Sequence, residues 1–206
     1  KDHNRLLARI SAAGPLMPFR TPSARVSGRR TTGGGQVTGT ADASAPDSEP
    51  FETMVSELDY PMFVVTTRAG TPAGCLVGFA SQASIDPPRF LVGLSRRNAT
   101  FRAAQGASHL AVHLLSRENV DLARLFGSET GDRTDKFARC AWHDGPAGIP
   151  ILDDAAAWFV GEIRDRFDLG DHVGHLLEPV AGQASVGIQQ WVSFADVRDV
   201  EPGHPA

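Results

Sequence analysis

The apolar residues of this chain recur with two different periods, and both periods begin only after residue 50. Residues 62–67 (Met-Phe-Val-Val-Thr-Thr) are mostly β-branched or aromatic and lie between Pro61 and Gly70, which is typical of a strand. By the same reasoning we predict further strands over 74–84, 89–95, 109–115, 172–180 and 190–197. Helical spacing predicts short helices over 51–58, 98–105 and 116–126, the last two capped by Asn98 and Ser116. About six strands without regular βαβ alternation predict an α+β protein built on an antiparallel barrel.

The segment from residue 155 to residue 167 carries both periods. Phe159, Ile163 and Phe167 recur at helical spacing, whereas the aromatic content and the interruption at Gly161 suit a buried strand. Residues 144–150, which are rich in Gly and Pro, predict a loop before this segment. The sequence leaves the choice between helix and strand open here.

Residues 1–50 differ in composition from the rest of the chain. They are rich in Gly, Pro, Ser, Thr and Ala and show almost no apolar periodicity, so they cannot bury enough surface to offset their ordering entropy. Arginines precede acidic residues in this segment, which suits either a basic anchor for an acidic partner or a solvated terminus. We therefore predict a disordered tail over 1–50, one domain over 51–200 and a short C-terminal tail over 201–206.

Composition narrows the class of protein. A net charge of −4 argues against a general nucleic-acid binder. No apolar run approaches the ~20 residues that span a bilayer, and the first residues lack the apolar region of a signal peptide. The two cysteines, Cys75 and Cys140, have no metal-ligand spacing, so we expect no metal site and a reducing, cytoplasmic compartment.

The segment 74–88 is the strongest candidate for cofactor binding. Gly78 lacks a Cβ and allows close approach of a ligand to the backbone, and Ser81 and Ser84 supply hydroxyl donors. Arg96 and Arg97 follow the next strand and can neutralise a phosphate. An ordinary buried strand that ends in a serine-rich corner has the same composition.

A second candidate is the segment 168–175. Gly170 indicates a turn, and Asp171 can accept a hydrogen bond that fixes the tautomer of His172. His172 and His175 point to opposite faces of a strand, which makes a poor metal site, and no Gly-x-Ser-x-Gly motif indicates a hydrolase. A structural histidine is the alternative.

A third candidate is the charged segment 131–137. Arg133 and Lys136 can contact the phosphates of a nucleotide, and Phe137 can lie over a ring. A solvated charged turn is the alternative.

The order of these segments resembles the flavin reductase-like family of FMN-binding split barrels, over Met54 to about Val197. The resemblance is carried by Ser-Ile-Asp-Pro-Pro (84–88), Arg-Phe-Leu-Val-Gly-Leu (89–94), Asn-Ala-Thr (98–100), Leu-Ala-Val-His-Leu-Leu-Ser (110–116), Leu-Phe-Gly (125–127) and Gly-Asp-His (170–172). It implies a six-stranded split barrel that forms a homodimer, with the flavin in a groove near the dimer interface. It also implies hydride transfer from NADH or NADPH to FMN, or to FAD, with a flavin-dependent monooxygenase as partner.

The resemblance also implies roles for particular residues. The backbone that lines the isoalloxazine would be that of Leu76, Val77, Gly78 and Phe79. The ribityl chain and phosphate would meet Ser81, Gln82 and Ser84, and the phosphate end would be closed by Ser95, Asn98 and Thr100. The nicotinamide would lie beside Gly170, Asp171 and His172, and His172 would position it.

One motif departs from the family pattern. Many relatives carry Thr-Ala-Asn-Ser-Phe where this chain has Leu-Val-Gly-Phe-Ala over 76–80. The polar contacts of those side chains are absent, which leaves the choice between FMN and FAD open. Two alternatives also stay open: a non-enzymatic FMN-binding or flavin-sensing protein, and a barrel that uses a deazaflavin or a pyridoxal-type cofactor.

Overall fold

The computed structural model describes residues 48–185, 187–188, 190–201 and 203, and the structural statements below concern these residues. The predicted tail over 1–50 and the C-terminal tail over 201–206 lie largely outside them. Residues up to Leu58 and residues from Asp59 form two separate units. The first contains helix α1 (Glu49–Ser56), which confirms the predicted helix and begins two residues earlier, with Pro50 in the first turn, where a missing N–H costs nothing.

The second unit is built on one antiparallel sheet of seven strands. They are β1 (Phe63–Ala69), β2 (Thr71–Val77), β3 (Ala80–Ser84), β4 (Arg89–Ser95), β5 (His109–Leu114), β8 (Ala157–Asp168) and β9 (His172–Ala184), in the order β2-β1-β5-β8-β9-β4-β3. Helices α2 (Ala99–Gly106), α3 (Val120–Ser128) and α4 (Phe194–Val197) flank it, and β6 (Trp142–Asp144) pairs with β7 (Pro150–Leu152) as a separate ribbon. The α+β class with an antiparallel sheet is confirmed.

The sheet has seven strands rather than the predicted six, and one reason is that the predicted strand over 74–84 is two strands. It breaks at Gly78 and Phe79, so that β2 pairs with β1 while β3 pairs with β4 at the opposite edge of the sheet. The carbonyl of Phe79 accepts a hydrogen bond of 2.7 Å from the Gly93 N–H of β4. Two residues therefore connect the two edges, and the sheet must curl until its edges approach each other at this seam.

The structure settles the assignment of one further segment and corrects that of another. The ambiguous segment 155–167 is strand β8, paired with β5 on one side and β9 on the other. The strand predicted over 190–197 is wrong, because only isolated bridges at Trp191 and Ser193 precede α4. Ser193 and Asp196 form a capping box, in which each side chain bonds to the other residue's backbone, and this local pairing starts a helix instead.

Of the two predicted helix caps, that of α2 is confirmed and that of α3 is wrong. Asn98 caps α2 as predicted, because its side chain accepts a hydrogen bond from the Thr100 N–H. Ser116 does not cap α3; its hydroxyl donates to the side chain of Asn119, a 3₁₀ turn follows, and α3 begins at Val120.

The longest hairpin is formed by β8 and β9, and its two strands differ in burial next to the turn. Val160 and Leu177 are buried in its middle. Next to the turn at residues 169–171, the end of β8 (residues 164–168) is exposed, whereas Val173, Gly174 and His175 of β9 are buried. The register shifts at two places, between Val160 and Gly161 and between Ile163 and Asp165. The hairpin ends beside the last residues of β4, where Ser95 pairs with His172.

A buried histidine joins the β6–β7 ribbon to the sheet. His113 of β5 contacts the Val64 carbonyl through Nδ1 at 3.0 Å, and its Nε2 accepts a hydrogen bond of 3.2 Å from the Leu152 N–H of β7. Because a carbonyl only accepts and an N–H only donates, the ring is neutral with its proton on Nδ1. Burial lowers the pKa of His113 to about 4.

Candidate functional site

A cavity of about 220 Å³ opens at the seam between the edges of the sheet. Its walls come from the ends of β2 and β4, from the end of α3 and the loop after it, and from Tyr60, Met62 and Phe194. It brings together eight residues that the sequence assigned to a site: Leu76, Val77, Gly78, Phe79, Ser95, Asn98, Lys136 and His172. Segments that are up to 96 positions apart thus meet in one cavity.

The remaining assigned residues lie elsewhere. Ser81, Gln82 and Ser84 are on β3, where Ser81 and Gln82 are exposed and all three bond to one another's backbone or side chains rather than line the cavity. Thr100 and Arg133 line a second cavity of about 560 Å³, between β2, α2 and the loop 131–137. Gly170 and Asp171 lie in the turn before β9, next to His172, and do not line the cavity either. The structure therefore does not bring these seven residues into the seam cavity.

No local motif indicates several of the residues that line the seam cavity. Tyr60, Glu129 and Thr130 belong to segments without a motif, and long-range packing alone places them there. Tyr60 is held by stacking on Phe194, with ring centroids 5.1 Å apart. Cys75, which has no metal-ligand spacing in the sequence, also lines the cavity, and the burial of its thiol raises the pKa of that thiol.

Phe79 stands at the mouth of the cavity with 62% of its surface exposed. Its position is fixed, because its carbonyl is bonded to Gly93 and a Cβ on Gly93 would lie 3.1 Å from the Phe79 Cβ. The Phe79 ring meets the His172 imidazole edge to face, with ring centroids 4.9 Å apart. An exposed, fixed aromatic ring beside an imidazole suits contact with a planar ligand.

The imidazole of His172 is oriented by its neighbour. His172 Nδ1 lies 2.8 Å from Asp171 Oδ1, and this bond lowers the pKa of the Asp171 carboxyl. A carboxylate can only accept, so we assign the proton to Nδ1, which leaves Nε2 of the neutral ring as an acceptor. This is the Asp–His pairing that the sequence predicted.

Arg96 holds the turn that precedes His172. Its N–H donates to the Asp171 carbonyl at 3.0 Å, its Nε donates to the Gly170 carbonyl at 2.8 Å, and its Nη2 lies 2.9 Å from Asp168 Oδ1. Asp168 also accepts from the Gly170 N–H, and these bonds lower the pKa of the Asp168 carboxyl. Arg96 was assigned to a phosphate from the sequence, and the structure engages it in this turn instead.

The charged segment 131–137 is only partly a solvated turn. Arg133 is exposed and Asp132 pairs with Arg102. Phe137, expected over a ligand ring, is buried against Phe126 and Trp142 instead. Lys136 is also buried: its Nζ donates to the Gly74 carbonyl at 3.0 Å and to the Phe126 carbonyl at 3.2 Å.

Gly78 has too little space around it for a side chain, so a substitution there tests the packing of the seam. A Cβ at Gly78 would lie 2.6 Å from Tyr60 Cε2 and 3.1 Å from Met62 Sδ, and Tyr60 cannot move without disturbing Phe194. We therefore expect Gly78→Val to destabilise the protein by about 1–3 kcal/mol, the usual cost of overpacking, as measured by urea unfolding. Gly106→Val is the control, because nothing lies within 4 Å of a Cβ there. Equal stability of the two variants would contradict the expectation.

The described ranges contain neither a membrane-spanning helix nor a metal-binding cluster. No helix there is long and apolar enough to cross a membrane. No group of three or more His, Cys, Asp and Glu side chains there is arranged to hold a metal ion.

Comparison with known proteins supplies the family. Residues 55–189 match the flavin reductase like domain family. The chain is 34% identical over 118 residues to the stachydrine N-demethylase reductase subunit Stc3 of Rhizobium meliloti, over 55% of this chain and 50% of that protein. It is 29% identical over 131 residues to the 4-hydroxyphenylacetate 3-monooxygenase reductase component of Escherichia coli, over 62% of this chain and 76% of that protein.

Solved structures agree on the fold. A flavin reductase domain protein from Arthrobacter sp. FB24 matches with a TM-score of 0.60 and 28% identity, over 67% of this chain and 85% of that one. An NADH:FAD oxidoreductase from Streptomyces globisporus C-1027 matches with a TM-score of 0.65 and 20% identity, over 71% of this chain and 87% of that one, a likeness of fold alone. The chain spans a third to a half of the length of three curated relatives that it matches.

Proposed function

Because the chain belongs to the flavin reductase-like family, we propose that it is an oxidoreductase that transfers a hydride from NADH or NADPH to FMN or FAD. One observation carries the proposal: the backbone of residues 76–79 and the imidazole of His172 line the same cavity. The first is the segment expected along the flavin ring, and the second is the residue expected beside the nicotinamide.

The residues at the seam suit a flavin. Among the described residues, neither the Gly78 N–H nor the Phe79 N–H donates to a backbone carbonyl, so both remain available to the acceptor atoms along the edge of a flavin ring. The rings of Tyr60 and Phe79 supply apolar surface at the same place. The cavity therefore offers both the polar and the aromatic contacts that a flavin ring needs.

The volume of the cavity supports a dimer. About 220 Å³ is less than the ~300–1,000 Å³ of sites that enclose a drug-sized ligand, so this chain covers only part of a flavin. In our proposal the sheet closes as a split barrel and a second copy of the chain covers the rest, with the flavin near the interface. A flavin-dependent monooxygenase is the partner that would take up the reduced flavin, a proposal supported by two relatives that are named as a reductase subunit and a reductase component.

The residues of the chain orient the reactants. A bound flavin supplies the chemistry by accepting the hydride that the nicotinamide gives up, and no general acid or base in the protein is required. Asp171 keeps the His172 proton on Nδ1, which leaves Nε2 to accept a hydrogen bond from the carboxamide of the nicotinamide. Phe79 limits the rotation of that imidazole from the other side. The site thus performs catalysis mainly by positioning.

Turnover of the full-length chain tests the proposal. We expect the protein to oxidise many equivalents of NADH or NADPH when FMN or FAD is added, and few when it is omitted. A protein that binds FMN without turnover would instead be a flavin sensor. Turnover only with a deazaflavin, or a bound pyridoxal-type chromophore, would replace the flavin in the proposal.

Arg96 is expected to act on the dinucleotide through His172. Arg96→Gln removes the side-chain bonds to Gly170 and Asp168, so the turn that carries Asp171 loses its fixed shape. Both bonds are at the surface, so we expect a rise of roughly fivefold in the KM for NADH and an unchanged Kd for FMN. Arg89→Gln, at the first residue of β4, is the control, because Arg96 follows the last residue of that strand. If FMN affinity fell in step with the rise in KM, Arg96 would not act on His172 alone.

A further inference from the structure

The chain returns to the seam cavity after its last strand. The segment that follows β9 lines the cavity at two points, with the Phe194 ring at the start of α4 and with the backbone of Gly203. Between these points it passes the end of α3, where a Cβ on Gly127 would lie 3.4 Å from Val200 Cγ1. One wall of the cavity is therefore built from a short segment that lies outside the sheet.

The first of these two points is held firmly. The Phe194 N–H donates to the Tyr60 carbonyl at 2.9 Å, and the rings of the two residues stack. Two residues earlier, the Val192 carbonyl accepts a hydrogen bond of 2.9 Å from the Met62 N–H, and the Val192 side chain is fully buried. Buried contacts and backbone hydrogen bonds are lost only when the surrounding structure opens, so this point stays in place in the folded protein.

The second point is held by exposed contacts, and it belongs to residues 199–201 and 203, which we call the closing segment. Asp199 forms a bidentate ion pair with Arg124 of α3, at 2.9 Å and 2.8 Å, and 69% of the Asp199 side chain is exposed. The Gly203 N–H donates to the Gly127 carbonyl at 3.3 Å, and the described ranges show no further backbone hydrogen bond of Gly203. Exposed ion pairs contribute little to stability and are screened by salt, so the closing segment can detach while the rest of the fold stays intact.

The position of Gly203 against α3 leaves no room for a side chain. A Cβ there would lie 2.8 Å from the carbonyl carbon of Glu129 and 2.9 Å from both the Ser128 oxygen and the Thr130 nitrogen. All three are backbone atoms, which cannot turn away as the end of a flexible side chain can. Because Glu129 and Thr130 also line the seam cavity, a side chain at residue 203 would push the closing segment away from the wall of that cavity.

We propose that the closing segment is a gate, which moves off the seam cavity to let the flavin enter and leave while Phe194 holds the opposite end of the segment in place. The inference rests on the proposed function for the identity of the ligand, because a reductase that supplies reduced flavin to another enzyme has to release it. Arg124, which lies outside the lining of the cavity, and Gly203 are then positioning residues for the gate. A gate slows entry and release alike, whereas a fixed wall that contacts the flavin slows release alone.

Stopped-flow measurement of FMN binding to the full-length chain tests the gate. In Arg124→Gln we expect the association and dissociation rate constants to rise together by roughly fivefold, with the dissociation constant unchanged within about twofold, because an exposed ion pair is lost. Gly203→Val should produce the same rise by displacing the closing segment, whereas Gly106→Val, which has open space around its Cβ, should behave as the parent.

The matched control for Arg124→Gln is Arg117→Gln. Arg117 lies 2.6 Å from Asp196 Oδ1 of α4, near the firmly held end of the segment, so loss of this ion pair should leave both rate constants as in the parent. Added NaCl screens the pair between Arg124 and Asp199, and should therefore accelerate FMN exchange more in the parent than in Arg124→Gln.

A rise in the dissociation rate constant alone would overturn the gate and make the closing segment a fixed wall, and unchanged rate constants in Arg124→Gln would also overturn it. Hydrogen exchange followed by NMR tests the gate without any flavin. In Arg124→Gln the Gly203 amide should exchange roughly threefold faster than in the parent, and the Phe194 amide at the same rate as in the parent. Equal exchange of the Gly203 amide in both proteins would overturn the gate. If hydrogen exchange responds as expected but no flavin binds, the proposed function fails and the mobile segment stands.

Discussion

His172→Ala is expected to lower kcat/KM for NADH by roughly 5- to 150-fold, because an oriented hydrogen bond to a reactant is worth ~1–3 kcal/mol. The substitution removes the imidazole whose Nδ1 is held by Asp171 and whose face meets Phe79. FMN affinity, measured separately by fluorescence quenching, should hardly change. Steady-state kinetics and quenching on the same preparation give both constants.

The control for His172→Ala is a substitution of another histidine, the exposed His143. His143→Ala removes an exposed histidine that pairs with Asp153 on the separate ribbon, and should leave both constants as in the parent. A structural role of His172 would weaken stability and FMN binding together and leave turnover per bound flavin unchanged. That result would remove His172 from the nicotinamide side of the site.

His113→Leu is expected to destabilise the protein by about 3 kcal/mol at neutral pH. The Val64 carbonyl and the Leu152 N–H both lose their imidazole partner in the interior, and each unsatisfied buried group costs ~1–3 kcal/mol. The β6–β7 ribbon would lose a tether to the sheet. Urea unfolding measures the change, with His143→Ala as the exposed control; a loss below about 1 kcal/mol would mean that the ribbon is held by packing alone.

The same histidine gives stability a pH dependence. The pKa of His113 is about 4 in the folded protein and 6.5 in the unfolded chain, so the unfolded state takes up the proton first as pH falls. Its contribution is fully present above pH 6.5 and declines until about pH 4, by about 3 kcal/mol at 1.36 kcal/mol per pKa unit. His175, whose pKa burial also lowers, acts in the same direction. The difference between parent and His113→Leu isolates His113, and parallel pH profiles would contradict its role.

Local sequence patterns predicted most of the strands, but they failed where the pairing between distant strands determines the limits of an element. The run that became β1 is mostly β-branched or aromatic and lies between Pro61 and Gly70, and the runs that became β4 and β9 follow Pro88 and the turn at Gly170, so their limits could be predicted. Nothing local to residues 74–84 shows that Gly93, on another strand, will bond to Phe79 and divide the segment. Residues 190–197 have strand-like composition, but Ser193 and Asp196 compete with the ladder through their side chains.

The candidate site was predictable to the same extent. The Asp171–His172 pair lies within one turn, so its contact follows from adjacent residues. Lys136 sits in a charge run, which ordinarily indicates a solvated turn, and only its bond to the Gly74 carbonyl, 62 positions away, reveals that it is buried. Contacts between residues far apart in the chain leave no local pattern. The sequence therefore indicated many of the residues at the seam, but not that Lys136 is buried.

The two register shifts in the β8–β9 hairpin cancel. The first leaves Val180 of β9 unpaired and the second leaves Arg164 of β8 unpaired, so beyond both of them the original register returns. Because these two residues are the unpaired ones, loss of either would remove a bulge and leave every other cross-strand pair, and therefore the face of every other side chain, as it is. Single deletions in this hairpin should therefore be tolerated during evolution at these two positions, whereas a deletion at a paired position would shift the register and turn the side chains beyond it, including the buried His175, to the other face.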